Sequence, residues 1–131
     1  MLEISVIFTL LILFQVKHFI CDYPLQTDYM LGKMKPTGED WYRPLALHAG
    51  VHAFFTFLII LFIHPSNYWL YLIPLLDFVI HFMVDRIKAS PNLCGRWNPA
   101  QPYFWWALGA DQMIHHLTHY IFIYVIVQSL K

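Results

Sequence analysis

Residues 68–88 read YWLYLIPLLDFVIHFMVDRIK, an apolar segment interrupted by Asp77, His81 and Asp85. A helix needs about 20 residues to cross the hydrocarbon core of a bilayer, and this segment has that length. A spacing of four places the three polar side chains on one helix face, about 6 Å apart along the axis. The stretch therefore predicts a membrane-spanning helix with one polar stripe.

Three further segments, residues 1–20, 44–64 and 104–130, are also long and apolar. The chain has 131 residues, of which 59% are hydrophobic and 12% charged, whereas a soluble domain is roughly 45–50% apolar. Residues 1–20 lack the positive n-region and the small-residue cleavage site of a signal peptide, so we keep them as a helix. We predict an all-α fold, with one domain over residues 1–131 that forms a polytopic four-helix membrane bundle. The net charge of zero gives no indication of nucleic-acid binding.

The basic residues separate between the two sides that four spans create. Seven lie on the side of the 21–43 and 89–103 loops, and only Lys131 lies with the termini and the turn around Pro65. The seven are Lys17, Lys33, Lys35, Arg43, Arg86, Lys88 and Arg96. Short loops rich in Lys and Arg stay in the cytoplasm. We therefore predict a multi-pass protein with both termini extracytoplasmic.

Each predicted helix carries ionisable residues in its cytoplasmic half, where such groups are costly and usually pair, relay protons or bind ions inside a bundle. The set comprises His18 and Asp22 in the first helix, His48 and His52 in the second, Asp77, His81 and Asp85 in the third, and Asp111, His115, His116 and His119 in the fourth. His64 is at the opposite end, and we expect it to be interfacial and inert. The stripes should converge at one depth between the helices.

An internal repeat relates the two halves of the chain. His18, Asp22, His48 and His52 recur 63 positions later as His81, Asp85, Asp111 and His115. Each copy is a hairpin that crosses twice, so the copies have the same orientation and a pseudo-twofold axis should run along the membrane normal. Asp77, His116 and His119 have no counterparts in the first copy, and we expect them to make the two halves of the site unequal.

Carboxylate and imidazole without thiolate form the ligand set of zinc hydrolases and of carboxylate-bridged iron or manganese pairs. We predict that a divalent metal, with zinc favoured over iron or manganese, binds here. The predicted ligands are His18, Asp22, His48, His52, His81, Asp85, Asp111 and His115. Because eight ligands exceed the needs of one ion, a two-metal site that activates water is plausible. Asp77 or His119 is predicted to be a general base or to orient a ligand.

Four motifs, in order along the chain, resemble a known family. They are His18-Phe-Ile-Cys-Asp22-Tyr-Pro-Leu-Gln-Thr-Asp28, Leu47-His-Ala-Gly-Val-His52, His81-Phe-Met-Val-Asp85-Arg-Ile-Lys88 and Asp111-Gln-x-x-His115. The family is the bacterial and phage integral-membrane family known as domain of unknown function 3307, and the resemblance covers nearly the whole chain. It implies a bacterial or phage protein of the inner membrane and brings no activity. Gln26 and Thr27 in the first motif could cap a helix, hydrogen-bond at the mouth of the site or bind substrate.

The function that these patterns favour is a membrane-embedded metal-dependent hydrolase acting from the cytoplasmic leaflet on a lipid or lipid-linked substrate. One alternative is a divalent-cation or proton transporter that uses the same groups as a transit site. A second is a diiron or dimanganese redox enzyme. A third is a non-catalytic membrane protein that binds a host partner, with a polar cluster that only holds the helices together. A homodimer stays open, because small residues such as Gly50, Gly109 and Ala110 allow close helix approach within or between chains.

Overall fold

The computed structural model describes residues 2–63 and 65–130, with side chains from Ile4 onward. The prediction that His64 is interfacial falls outside these residues. The protein is all-helical, and the described part contains no named strand. Its four α-helices are α1 (Leu2–Asp22), α2 (Tyr42–Ile63), α3 (Ile73–Ala89) and α4 (Pro102–Ser129).

Prolines set several of the helix ends. The predicted third segment, residues 68–88, starts with the 3-10 segment Tyr68–Leu72 and becomes α-helical only at Ile73. Pro74 lies in the first turn of α3, where its missing N–H costs no hydrogen bond. α4 starts at Pro102 for the same reason. α1 ends at Asp22, just before Tyr23, whose helical conformation Pro24 disfavours.

The four helices form a closed ring, in which α1 and α3 each pack against both α2 and α4. One half of the interior is filled by an apolar cluster to which all four helices contribute. Its buried members are Leu10, Phe14, Ile59, Ile60, Leu70, Ile73, Phe122, Ile123, Ile126 and Val127. The polar stripes occupy the other half, at the C-terminal ends of α1 and α3 and the N-terminal ends of α2 and α4.

Two helices, α1 over Ile4–Asp22 and α2, are long and apolar enough to cross a membrane, judged by length and composition. α3 has only 17 residues, and its charged side chains lower its hydropathy. Both α3 and α4 nevertheless expose large apolar side chains, such as Leu75 and Met83 on α3 and Ile121 on α4. The four-span hairpin topology and its pseudo-twofold axis stay predictions.

The segment between α1 and α2 is fastened to the end of α3 by Arg86. Its guanidinium donates to the backbone carbonyls of Lys33 at 3.0 Å and Lys35 at 3.1 Å, and to Thr37 Oγ1 at 3.3 Å. The same guanidinium lies over the ring of Trp41, 3.9 Å from its centroid. These contacts position Lys33, which is buried although it lies in a connecting segment.

Candidate metal centre

The ten predicted site residues all lie in the polar half of the interior. Nine are buried and Asp22 is half-buried. His116, which the helical spacing places off the polar stripe, is half-buried and its Nδ1 lies 3.0 Å from Gln15 Nε2. The four helices thus bring together the groups that the sequence places on their inner faces.

Asp22 faces three histidines at the end of α1. Its Oδ1 lies 3.1 Å from His52 Nε2 and 3.5 Å from His48 Nε2, and its Oδ2 lies 3.2 Å from His18 Nε2. Gln112 also donates to its Oδ2, at 3.4 Å. No lysine pairs with this carboxylate among the described residues, so its negative charge is met by imidazole and amide groups alone.

Asp85, the repeat counterpart of Asp22, bonds to both histidine and lysine. Its Oδ1 lies 3.2 Å from His115 Nε2, while its Oδ2 lies 2.9 Å from His48 Nε2 and 3.0 Å from Lys33 Nζ. His115 Nε2 also lies 3.4 Å from Asp111 Oδ1. His48 therefore lies between the two repeat-related carboxylates.

Two of the four triplets that could hold a metal ion in this region are related by the repeat, and in each triplet one ligand atom from each residue lies within 4.8 Å of the others. They are Asp22, His48 and His52, and Asp85, Asp111 and His115. The members are again 63 positions apart, and the His52–Asp22 distance of 3.1 Å matches the His115–Asp85 distance of 3.2 Å. The sequence repeat thus has a counterpart in the contacts.

Four of the histidines form a ring around the middle of the site, one from each helix. We call His18, His52, His81 and His115 the histidine tetrad. Successive ring centroids lie 5.5, 3.9, 4.1 and 5.4 Å apart around it. In every member one ring nitrogen approaches an Asp carboxylate within 3.1 to 3.2 Å.

The second nitrogen of each tetrad imidazole is buried and has no hydrogen-bond partner in the described part of the chain. These atoms are His18 Nδ1, His52 Nδ1, His81 Nε2 and His115 Nδ1. Buried polar atoms seldom lack a partner. A histidine that binds metal through one nitrogen usually donates its other N–H to a carboxylate or a backbone carbonyl. His52 and His115 have the Asp22 and Asp85 carboxylates as these partners. His18 Nε2 hydrogen-bonds to Gln112 Oε1 at 3.2 Å, and His81 Nδ1 to the backbone carbonyl of Asp77 at 3.0 Å. The donor set therefore fits a metal ion.

Three members of the tetrad, His18, His52 and His81, are themselves within ligand distance of one another, each with one atom within 4.8 Å of the others. Three imidazoles form a recurrent catalytic zinc set.

A second set of polar side chains surrounds Asp77, next to the histidine tetrad. Asp77 Oδ2 accepts hydrogen bonds from Lys17 Nζ and Thr56 Oγ1, both at 2.7 Å, and its Oδ1 lies 3.1 Å from His81 Nδ1. His119 Nε2 lies 3.7 Å from the same Oδ1 and 3.4 Å from Lys17 Nζ. His81 Nδ1 donates to the backbone carbonyl of Asp77 at 3.0 Å, so the Asp77 backbone orients His81. His119 Nδ1 has no partner among the described residues.

Sequence reasoning missed the lysine partners of the carboxylates. Lys17, Lys33 and Lys88 were considered only as markers of the cytoplasmic side, yet they pair with Asp77, Asp85 and Asp111 at 2.7, 3.0 and 2.9 Å. Lys88 lies three residues after Asp85 on α3, so the sequence spacing predicts that it lies on the same helix face as Asp85. Lys33 lies outside the α-helices, and no spacing indicates its partner.

Comparison with known proteins gives a family and no activity. The family model described as protein of unknown function (DUF3307) matches residues 9–131, which confirms the resemblance inferred from the four motifs. No curated protein and no solved structure matches the chain. The matched range includes every residue of the candidate metal centre.

Proposed function

The chain belongs to the DUF3307 family, and we propose that it is a membrane-embedded, metal-dependent hydrolase. One observation supports the proposal most directly. Four buried histidines, one from each helix, have one ring nitrogen within 3.2 Å of a carboxylate oxygen and the other without a partner among the described residues. Zinc is the favoured ion, since imidazole suits it and thiolates are absent from the set.

His18, His52 and His81 would hold the ion. Asp22, within 3.2 Å of both His18 and His52, and the backbone carbonyl of Asp77, which accepts from His81, would orient these imidazoles, as such groups do in zinc enzymes. The triplet of Asp85, Asp111 and His115 is a weaker second ion site, because Lys33 and Lys88 already pair with its two carboxylates. We therefore expect about one firmly bound ion per chain rather than two.

In the hydrolase the ion supplies a water activated for attack at neutral pH. His119 is the proposed general base, because its Nδ1 is unpartnered in the described structure and its ring centroid lies 5.4 Å from that of His18. Asp77 is proposed to orient rather than to transfer protons, since Lys17 and Thr56 both donate to its Oδ2. Asp77 and His119 thus have different proposed roles.

We propose a location in the bacterial inner membrane, and the family resemblance and the surface of the helices support it. α1 and α2 are apolar enough to span, and α3 and α4 expose Leu75, Met83 and Ile121 where a soluble protein would be polar. With four spans the site lies near the cytoplasmic face and both termini are extracytoplasmic. A lipid or lipid-linked substrate then reaches the site from the cytoplasmic leaflet.

The transporter alternative needs polar groups to continue toward the opposite face. Beyond Asp77 the interior of the described bundle is filled by the apolar cluster that includes Leu10, Phe14 and Ile60. A hydrated path for a cation has no side chains to follow there. This packing favours an enzyme open to one side over a transit site.

The test is metal-dependent turnover by the detergent-purified chain. The protein is stripped with a chelator, reloaded with zinc, and assayed on short-chain lipid carboxyl esters and lipid phosphoesters. Zinc should restore hydrolysis of one class. His119→Ala should keep the ion and lose about 10²–10⁴ in rate, as removal of a general base does.

His116→Ala is the matched control, because His116 is the adjacent histidine on α4 and bonds to Gln15 outside the tetrad. It should keep both metal and rate. A zinc-loaded protein that hydrolyses neither class would overturn the hydrolase proposal and leave the metal centre standing.

A further inference from the structure

A cavity of about 270 Å³ lies at the polar end of the bundle, lined in part by the two lysines that pair with Asp85 and Asp111. Side chains from the 23–41 segment, the end of α3, the α3–α4 connection and the start of α4 line it. Trp97, Phe104 and Leu108 give much of its wall an apolar character. The cavity is thus a mixed site, with apolar walls and a few polar groups, as ligand pockets usually are.

Two lysines connect this cavity to the carboxylates of the site. Lys33 and Lys88 both line it, and their Nζ atoms lie 3.0 Å from Asp85 Oδ2 and 2.9 Å from Asp111 Oδ2. An ammonium group has three donors, and each of these has one such carboxylate contact. Each lysine therefore keeps donors for a ligand in the cavity.

Gln26 also lines the cavity. Its position bears on the open question of whether the Tyr23–Asp28 stretch caps a helix or meets substrate. α1 ends at Asp22, and the Gln26 side chain has no hydrogen bond to that helix end in the described part of the chain. Its amide is a further potential donor to a ligand in the cavity.

If every histidine is neutral, a bound ion would change the sign of the net charge of the interior. Four carboxylates, Asp22, Asp77, Asp85 and Asp111, face three ammonium groups, which leaves one net negative charge with neutral histidines. One divalent cation turns this into one net positive charge. Uncompensated charge is costly in a low-dielectric interior, so the loaded site favours an anionic ligand.

We propose that the cavity binds the phosphate group of a lipid-like amphiphile, with Lys33 and Lys88 on the phosphate and the apolar chain along Trp97, Phe104 and Leu108. A phosphate monoester has three strong acceptor oxygens, against two in a carboxylate, so both lysines can donate to it while they keep their Asp partners. The inference rests on the proposed function, since it names the substrate class of that site.

The test is lipid binding by the zinc-loaded chain in detergent, measured by native mass spectrometry, which counts bound molecules. The probes are dihexanoyl phosphatidic acid, dihexanoyl glycerol and inorganic phosphate. The phosphatidic acid should bind at one per chain, at least tenfold more tightly than the neutral glycerolipid. Removing zinc should weaken it, because the net charge of the site becomes negative again.

Lys88→Gln should weaken phosphatidic acid binding at least tenfold, while the matched control Lys35→Gln, an exposed lysine that does not line the cavity, should leave it unchanged. Loss of Lys88 leaves Asp111 without its cation, so that variant could misfold. Ala107→Phe, which fills the cavity without altering charge, provides the second variant and should also abolish binding.

If the neutral glycerolipid binds as tightly as the phosphatidic acid, the ligand is not selected for its negative charge. If inorganic phosphate binds as tightly, the ligand does not need an apolar chain. If binding survives both Lys88→Gln and Ala107→Phe, the ligand does not bind in this cavity. None of these outcomes touches the metal-dependent turnover on carboxyl esters, which tests the proposed function separately.

Discussion

The buried carboxylates are compensated in two ways. Asp77, Asp85 and Asp111 each have a lysine within 3.0 Å, whereas Asp22 has only imidazoles and an amide around it. A lysine is a permanent partner, while imidazoles leave room for a cation. This difference makes the neighbourhood of Asp22 the natural position for an ion, although the sequence repeat treats Asp22 and Asp85 as equivalent.

Lys17 and Asp77 form the most enclosed lysine–aspartate pair among the described residues, and removing one partner should be costly. Lys17→Met leaves Asp77 as an uncompensated buried charge, which typically costs about 3–5 kcal/mol. We expect a clearly lower thermal unfolding midpoint in detergent. The double variant Lys17→Met with Asp77→Leu should recover most of the loss, because two apolar side chains can replace a buried pair.

Lys35→Met, at an exposed position, should leave the midpoint unchanged. If Lys17→Met melts with the wild type, the pair contributes nothing to stability. The assignment of Lys17 as the compensating charge of Asp77 is then wrong.

At the scale of the elements, the four helices and their polar faces were readable from the sequence. Apolar length predicted each helix, and steps of four placed Asp77, His81 and Asp85 on one inner face, where the structure has them. The 3-10 start at Tyr68–Leu72 was not predicted, although Pro74 gives its reason. Which ring nitrogen of each histidine meets a carboxylate was also unreadable, because it depends on ring rotation within the packed bundle.

The α1–α2 segment is the element that sequence patterns described least. It has no apolar period, and its placement depends on long-range contacts of Arg86 with Lys33, Lys35 and Thr37. Such contacts join residues about 50 positions apart and leave no local signature. The sequence therefore predicts that Lys33 is a solvent-exposed loop residue, and only the structure shows that it pairs with Asp85.

Arg86→Lys should loosen this segment, since an ammonium cannot reproduce the forked contacts or the stacking on Trp41. Cleavage after the exposed Glu39 by a glutamate-specific protease should accelerate about tenfold or more, because local opening controls such cleavage. Arg43→Lys, on an exposed side chain, is the matched control and should cleave at the wild-type rate. An unchanged rate for Arg86→Lys would mean that the segment is held by other contacts.

For the whole molecule, the division of the interior into an apolar half and a polar half gives the proposed orientation. The polar half should face the cytoplasm if the chain crosses the membrane four times. Single cysteines at Lys35, Ala100 and Ser66, in a background of Cys21→Ala and Cys94→Ala, test this with a membrane-impermeant thiol reagent. Ser66→Cys should be labelled from outside intact spheroplasts, and the other two only after lysis.

Labelling of all three positions from the same side would contradict the four-span topology. That result would leave the proposed metal centre unaffected, since its geometry depends on the packing of the helices and not on the lipid around them. It would rule out the proposed access of substrate from the cytoplasmic leaflet.

The central claim is that histidines of the tetrad bind a divalent ion. The most direct test is the metal content of the purified chain, measured by inductively coupled plasma mass spectrometry. We predict about one zinc per chain, lost in His52→Ala and kept in His116→Ala, whose histidine lies outside the tetrad. Absence of any copurified or rebound metal, or equal loss from both variants, would contradict the account and leave the cluster as a hydrogen-bonded network.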